Sequence, residues 1–452
     1  MKGYFLPTTS IAEKKTQHHH LSIELPVLSA DEVIDISDRL IRAGERLSKE
    51  PIFKIIDWID TAAQRWLDPK DPIRKEAESL LPLASGVSKE MVRFILDDLF
   101  KNLTRPVLIH LLEEELGNPA LCDGFRPKRK GVGFTRVIGP RLITHILPGN
   151  ISGTAIVSLV CGLLAKSANL AKVSMDELLL PVLFARSLHQ IRPELAESMA
   201  ILTWDNNNTD ITRAAFQRAD LAIVYGSDET IAKVRENIPP ATLTLFHGHR
   251  LSLGVIARES IRKEVADQAA IDIALYDQMG CLSPHLYYVE SLGSHTPLEF
   301  AQWLSQALYA VSNRLPKGET PPDIAAHIQQ LRGSLPLRGG KVFSSPKGVD
   351  WTVLYDPDPH FLSSPLSRTI WVKPVHDLTE IVSHLKPIRS ILQAIGIAIP
   401  EKRQPELIPA IVKMGASRIC AIGKMQMPPI TWHHDGRFRL ANFLRFVDWE
   451  QT

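Results

Sequence analysis

Cysteine offers the sharpest chemistry in this chain, and there are four of them: Cys122, Cys161, Cys281 and Cys420. They lie far apart with no C-x-x-C pair, which disfavours a disulfide framework and a structural zinc site. A cysteine on its own is most often a small buried apolar residue. Cys161 sits inside the apolar run TAIVSLVCGLLA and reads as core, and Cys122 and Cys420 take the same ordinary reading. Cys281 differs, because Gly280 precedes it and Leu282, Ser283 and Pro284 follow. Its thiol is expected in a constrained turn instead of on a helix face, where a nucleophile can be presented. The histidine clusters are His18-His19-His20, His247-x-His249 and His433-His434-Asp435. Neighbouring residues on a strand point to opposite faces, so His433 and His434 are poorly placed to share an ion, and no metal site is expected.

The elements that must hold Cys281 follow from the hydropathy pattern. Residues 30–117 carry apolar residues at three- and four-residue spacing between charged faces, so a helical region is expected there. The Gly-, Lys- and Arg-rich stretch 122–136 reads as a connector in which Lys128, Arg129 and Lys130 form a solvated turn. Beyond Gly139 short β-type runs alternate with helices: RLITHIL, a Pro-Gly-Asn turn, the apolar helix, NLAKVS, then MAILTW, DLAIVYG, ATLTLF and LSLGVIA. Strands separated by helices indicate an α/β fold with parallel βαβ units. Residues 260–278 are expected to form one amphipathic helix ending before Gly280, and LYYVE opens a second α/β lobe. Asp435-Gly436, between ITWH and RFRL, is a hairpin signal. The expected division is a helical region and connector over 1–135, a Rossmann-like cofactor domain over 136–255, a catalytic domain over 256–400 and a C-terminal segment over 401–452.

Composition narrows the class of protein. With 52 basic and 50 acidic residues the net charge is only +2, which gives no reason to expect nucleic acid or a membrane surface as partner. The longest nearly unbroken apolar stretch covers residues 156–165, well short of the roughly 18 residues a membrane span needs. No secretory signal is read at the N-terminus, and a reduced, cytoplasmic protein is expected.

The run YDQMGCLSPHLYYVE, with LPGNISG upstream and WHHDG near the C-terminus, closely resembles the LuxC-type acyl-CoA reductases, the fatty-acid reductase branch of the aldehyde dehydrogenase superfamily. The resemblance covers the chain from about Arg136 onward. It implies an aldehyde-dehydrogenase-like fold: a Rossmann-type cofactor domain, an α/β catalytic domain and a C-terminal hairpin suited to oligomer contacts. It also implies site residues. Asn150, 131 residues before Cys281, falls where the superfamily places the amide that binds the oxyanion. Lys172 matches the lysine that contacts the adenosine ribose. Gly226 and Ser227 match the Gly-Ser motif at the cofactor pyrophosphate, although Ser227 suits a plain N-cap equally well.

Two departures from the superfamily bear on the reaction. Aldehyde-oxidising members carry a water-activating glutamate about 34 residues before the nucleophile, and here that place falls at His247. Loss of the carboxylate favours thioester exchange and reduction over hydrolysis, with His247 itself open as a base. The second superfamily glutamate, which holds the nicotinamide ribose, would fall at residues 363–367, where no acid is present. Met175, three residues after Lys172, leaves NADPH tolerated, with NADH the other possibility and Asp176 beside it. The implied activity is NADPH-dependent reduction of an acyl-CoA or acyl-protein thioester to the aldehyde, through a thioacyl group on Cys281 with coenzyme A as leaving group or co-substrate. The implied partners are acyl-transferase or synthetase subunits and further copies of the chain. Three alternatives remain open: a short-chain CoA-acylating aldehyde dehydrogenase, an acyl-phosphate reductase and a non-catalytic acyl-carrier subunit.

Overall fold

The computed structural model describes residues 1–7, 11–128, 131–149 and 153–450. They form two compact units, Met1–Gly248 with Pro429–Thr452, and His249–Pro428.

The first unit opens on an antiparallel ribbon, β1 (Glu13–His18) with β2 (Leu21–Pro26). Five helices follow: α1 (Ala30–Leu47), α2 (Ile52–Leu67), α3 (Pro72–Ser85), α4 (Lys89–Lys101) and α5 (Arg105–Leu116). Helix α1 shows why they form. Ser29 and Glu32 make a reciprocal capping box, and Val33, Ile36, Leu40, Ala43 and Leu47 bury one face. Each large aliphatic side chain so buried is worth roughly 1.5–3 kcal/mol, which outweighs intrinsic helix propensity.

After β3 (Arg126–Pro127) and β4 (Phe134–Ile138) comes the expected alternation. It runs β5 (Leu142–Ile146), α6 (Thr154–Leu164), β6 (Ala168–Lys172), α7 (Leu179–Ile191), α8 (Pro193–Ala196), β7 (Met199–Leu202), α9 (Thr209–Gln217), β8 (Leu221–Tyr225), α10 (Asp228–Arg235) and β9 (Leu243–His247). These five strands form an all-parallel sheet in the order β7-β6-β5-β8-β9. Chain order reverses between β5 and β8, the position where open α/β sheets place ligands at the strands' carboxyl ends. The C-terminal residues return to this unit. Strand Arg445–Trp449 pairs antiparallel with β4, and the Glu115 carboxylate accepts the backbone N–H groups of Arg439, Leu440 and Ala441 at 2.7–2.9 Å.

The second unit comprises β10 (Leu251–Ile256), α11 (Lys263–Ala274), β11 (Pro284–Glu290), α12 (Pro297–Arg314), α13 (Pro322–Ser334), β12 (Lys341–Ser344), β13 (Thr352–Tyr355), β14 (Thr369–Val375), α14 (Ile381–His384), β15 (Leu392–Ala398), α15 (Gln404–Lys413) and β16 (Arg418–Ala421). Its seven-stranded sheet runs β12-β13-β14-β11-β10-β15-β16, parallel except for the β12-β13 pair. Helices α11 and α12 bury Ala269, Ile273, Phe300 and Leu304 against one face.

Two sequence expectations are corrected. The helix expected over 260–278 ends at Ala274, and Tyr276, Asp277 and Gln278 turn left-handed with φ of 55°, 49° and 66°. Their side chains find partners outside the helix, which periodicity does not register. The hairpin at Asp435-Gly436 is a tight turn with φ of 54° and 73°, the pattern of type I′, closed by a single His434–Arg437 bridge. Its flanks do not continue as a ladder, because residues 439–441 are taken up by Glu115. Among the described residues no helix is long and apolar enough to cross a membrane.

Candidate active-site elements

In the second unit the reactive-cysteine candidate sits where the sequence puts it, in the turn that enters β11 at the sheet's N-terminal edge. Cys281 is partly exposed, flanked by buried Gly280 and Leu282. The other thiols are poor nucleophiles: burial pushes Cys122 and Cys161 up to about 12 and Cys420 up to about 11. The Cys281 turn is held at several points. Gly280 N–H donates to Ser283 Oγ at 3.1 Å, and Ser283 N–H to the Gly280 carbonyl at 2.9 Å. Ser252 Oγ, at the start of β10, donates to the Cys281 carbonyl at 2.7 Å. Gln426 Nε2 bridges Ser283 Oγ and the carbonyl of Asp272. Asp272 is fully buried and accepts from Gly423 N–H at 2.6 Å and Met425 N–H at 2.9 Å.

Residues 363–367, where no acid was expected to hold a ribose, lie beside this turn. Ser363 Oγ and Ser364 N–H both approach His285 Nδ1 at 3.2 Å. Because Nδ1 accepts a backbone N–H, the His285 ring is neutral, and burial depresses it to about 4.

In the first unit the remaining candidates collect at the carboxyl ends of the parallel strands. Lys172 ends β6, is nearly buried, and donates to Asn206 Oδ1; desolvation lowers its pKa. Gly226 follows β8, and a Cβ there would meet Thr230 Cγ2 at 2.8 Å, so the close turn needs glycine. Ser227 is the N-cap of α10, its Oγ accepting from Thr230 N–H at 3.2 Å. Its Oγ also lies 3.1 Å from Thr230 Oγ1, so the N-cap role expected of Ser227 is present. Asn150 lies outside the described residues, three positions before the Gly153 N-cap of α6.

His247, at the end of β9, has company that its sequence neighbourhood does not show. Its Nδ1–H donates to Asp435 Oδ2 at 2.6 Å, with side-chain exposures of 16% and 6%. Its ring stacks on Tyr225 at 4.3 Å and on His434 at 4.6 Å, and those two rings lie 6.0 Å from each other. A carboxylate is therefore present after all, supplied by the turn at 435 and spent on orienting the imidazole. The sequence marks His434 and Asp435 only as part of a histidine cluster and a turn; their pairing with His247 was not legible because 188 residues separate the paired groups. Ligand-capable atoms of His247, His434 and Asp435 lie within 4.8 Å of one another. In the hydrogen-bonded arrangement His247 Nδ1 is taken up by Asp435. The arrangement suits a carboxylate-oriented base, with Nε2 as the working atom.

The strand order and the turns at the sheet edges define an aldehyde-dehydrogenase-like α/β protein, and solved structures agree. The chain superposes on lactaldehyde dehydrogenase from Escherichia coli with a TM-score of 0.74, 12% identity, and coverage of 98% of this chain and 96% of that one. An NAD-dependent benzaldehyde dehydrogenase from Corynebacterium glutamicum gives 0.73 at 13% identity over 99% and 98%. Within that fold class the family is specific: residues 47–446 match the family model described as acyl-CoA reductase (LuxC), and the chain belongs to that family. Curated relatives include a long-chain acyl-protein thioester reductase of Aliivibrio fischeri, 25% identical over 88% of this chain and 82% of the relative. A second protein of that name, from Photobacterium leiognathi, is 23% identical over 99% and 92%. The family and fold expected from the Gly-Cys-Leu-Ser-Pro run are borne out.

Proposed function

We propose that the protein reduces a long-chain fatty acyl thioester, carried on coenzyme A or on a protein, to the aldehyde with NADPH. The observation that carries this reading is Cys281, the one thiol of the four that lies in a hydrogen-bonded turn at a sheet edge of an acyl-CoA reductase family member. The Cys281 thiolate attacks the thioester carbonyl, a C–S bond forms, and the donor's thiolate leaves with a proton. Asn150 and the Cys281 backbone N–H are assigned to the oxyanion. NADPH, when bound, supplies the hydride that reduces the thioacyl carbon. Collapse of the resulting thiohemiacetal breaks the C–S bond, releases aldehyde and restores the thiolate. His247, oriented by Asp435, is assigned to proton transfer. The residues assigned to the cofactor are Lys172 and the turn at Gly226 and Ser227. They fit a dinucleotide on two structural grounds: the strand order reverses beside them, and Gly226 admits no side chain. The relatives that are long-chain acyl-protein thioester reductases support an acyl-protein donor.

Incubation with labelled acyl-CoA and with acylated carrier protein, each without NADPH, tests the reading. A hydroxylamine-sensitive label is expected on wild type and none on Cys281→Ala. NADPH oxidation across C2 to C18 thioesters should peak at long chains. Labelling or turnover that survives in Cys281→Ala would remove this thiol from the mechanism.

A further inference from the structure

Two short segments of the second unit share an unusual backbone. Tyr276, Asp277 and Gln278 have φ of 55°, 49° and 66°, and Leu366, Ser367 and Arg368 have φ of 64°, 55° and 57°. None of the six is glycine, so both turns are strained wherever nothing holds them. One leads directly into Gly280-Cys281, and the other ends the segment 363–368 and enters β14.

The two strained turns are clasped to each other. Gln278, fully buried, uses every polar atom of its amide: Oε1 accepts from Thr369 N–H at 2.7 Å, and Nε2 donates to the carbonyls of Thr369 and Pro284, each at 2.8 Å. Beside it, Arg368, also fully buried, pairs with Asp277 Oδ1 at 2.7 and 2.9 Å and donates to the Leu315 carbonyl at 2.8 Å. Pro284 lies three residues beyond Cys281, so the Gln278 amide spans the nucleophile turn from one side to the other. A buried amide that closes on both ends of a reactive turn fixes where the residue between them points. From this geometry we propose that Gln278 is the positioning residue for the Cys281 thiol, braced by the Asp277–Arg368 pair. The inference rests on Cys281 being the nucleophile. It adds that the left-handed turn before it is held by side chains for reactivity, beyond what the fold of the unit requires.

The test compares wild type, Gln278→Met and Gln278→Glu. Methionine has similar length and no hydrogen-bonding amide. Its single-turnover acylation rate is expected to fall about 10- to 100-fold, the usual cost of misplacing a reacting group by about an ångström, with KM for the acyl thioester little changed. Hydrogen exchange of the peptide spanning 276–284 should speed up while that of the α12 and β15 peptides stays at the wild-type rate. In Gln278→Glu a protonated carboxyl restores one donor, so its rate relative to wild type should recover as pH falls from about 8 to 6. If Gln278→Met does not fold, the pH recovery of Gln278→Glu decides. Wild-type acylation by a folded Gln278→Met, or a Gln278→Glu ratio that is flat with pH, overturns the assignment. Failure of the wild type itself to acylate would instead remove the reading on which the assignment rests, and the exchange measurement would still report on the clasp.

Discussion

His247 shows how little of a side chain's chemistry its own segment reveals. In sequence it is a histidine at the place of a missing glutamate. In the folded unit it is one half of a couple whose other half is Asp435, with Tyr225 and His434 fixing the ring plane. The carboxylate selects the Nδ1–H tautomer and so leaves Nε2 as acceptor. If the pair moves protons as a unit, Asp435→Asn and His247→Gln should each lower kcat for acyl-thioester reduction by roughly 10²- to 10³-fold, and the double variant should be no slower than the worse single one. Rapid-mix kinetics on the three variants checks this. Additive losses would mean that the two residues serve separate purposes.

The strands and helices were legible where their pattern is local. The parallel alternation from β5 to β9, the α1–α5 region and the apolar α6 follow from runs of residues that bury themselves. The break in α11 was not legible, because the residues that hold the left-handed turn, Arg368 and Thr369, lie 91 residues further on. The same limit hid Gln426 and the 423–425 loop on Asp272. That loop yields a prediction about the α11 element. Burial raises Asp272 from 3.8 to about 7, against the lowering effect of the Gly423 and Met425 N–H bonds. A carboxyl raised in the folded state contributes stability that is complete below its unfolded value and is lost as pH climbs through about 7. The loss for wild type between pH 4 and 8 is roughly 4 kcal/mol at most. Asp272→Asn forgoes one N–H acceptor, about 1 kcal/mol, at every pH but has nothing to ionise. Wild type is therefore expected to melt above the variant at pH 4.5, with the gap closing or reversing by pH 8. A gap that does not vary with pH in thermal scans would show that Asp272 is charged throughout.

At the scale of the whole molecule the question is where the thioacyl group goes. The superfamily's route to free acid uses a carboxylate free to activate water, and the carboxylate beside His247 is already committed to the imidazole at 2.6 Å. Wild type given aldehyde and NADP⁺ should therefore form acyl-CoA when coenzyme A is present and little free acid when it is absent. Restoring the hydrolytic residue is not a single step in this chain. His247→Glu alone would set a second carboxylate against Asp435, and two such groups in contact share one proton, which hydrogen-bonds to the remaining anion and weakens it as a base. The single variant should leak only slightly to free acid. The double variant His247→Glu with Asp435→Asn, which removes that shared proton, should leak substantially more. Mass spectrometry of the products, with and without coenzyme A, separates the cases. Abundant free acid from wild type under both conditions would mean that the His247–Asp435 couple activates water itself, and the direction of the reaction would then be set by acyl supply and not by the absence of a hydrolytic base.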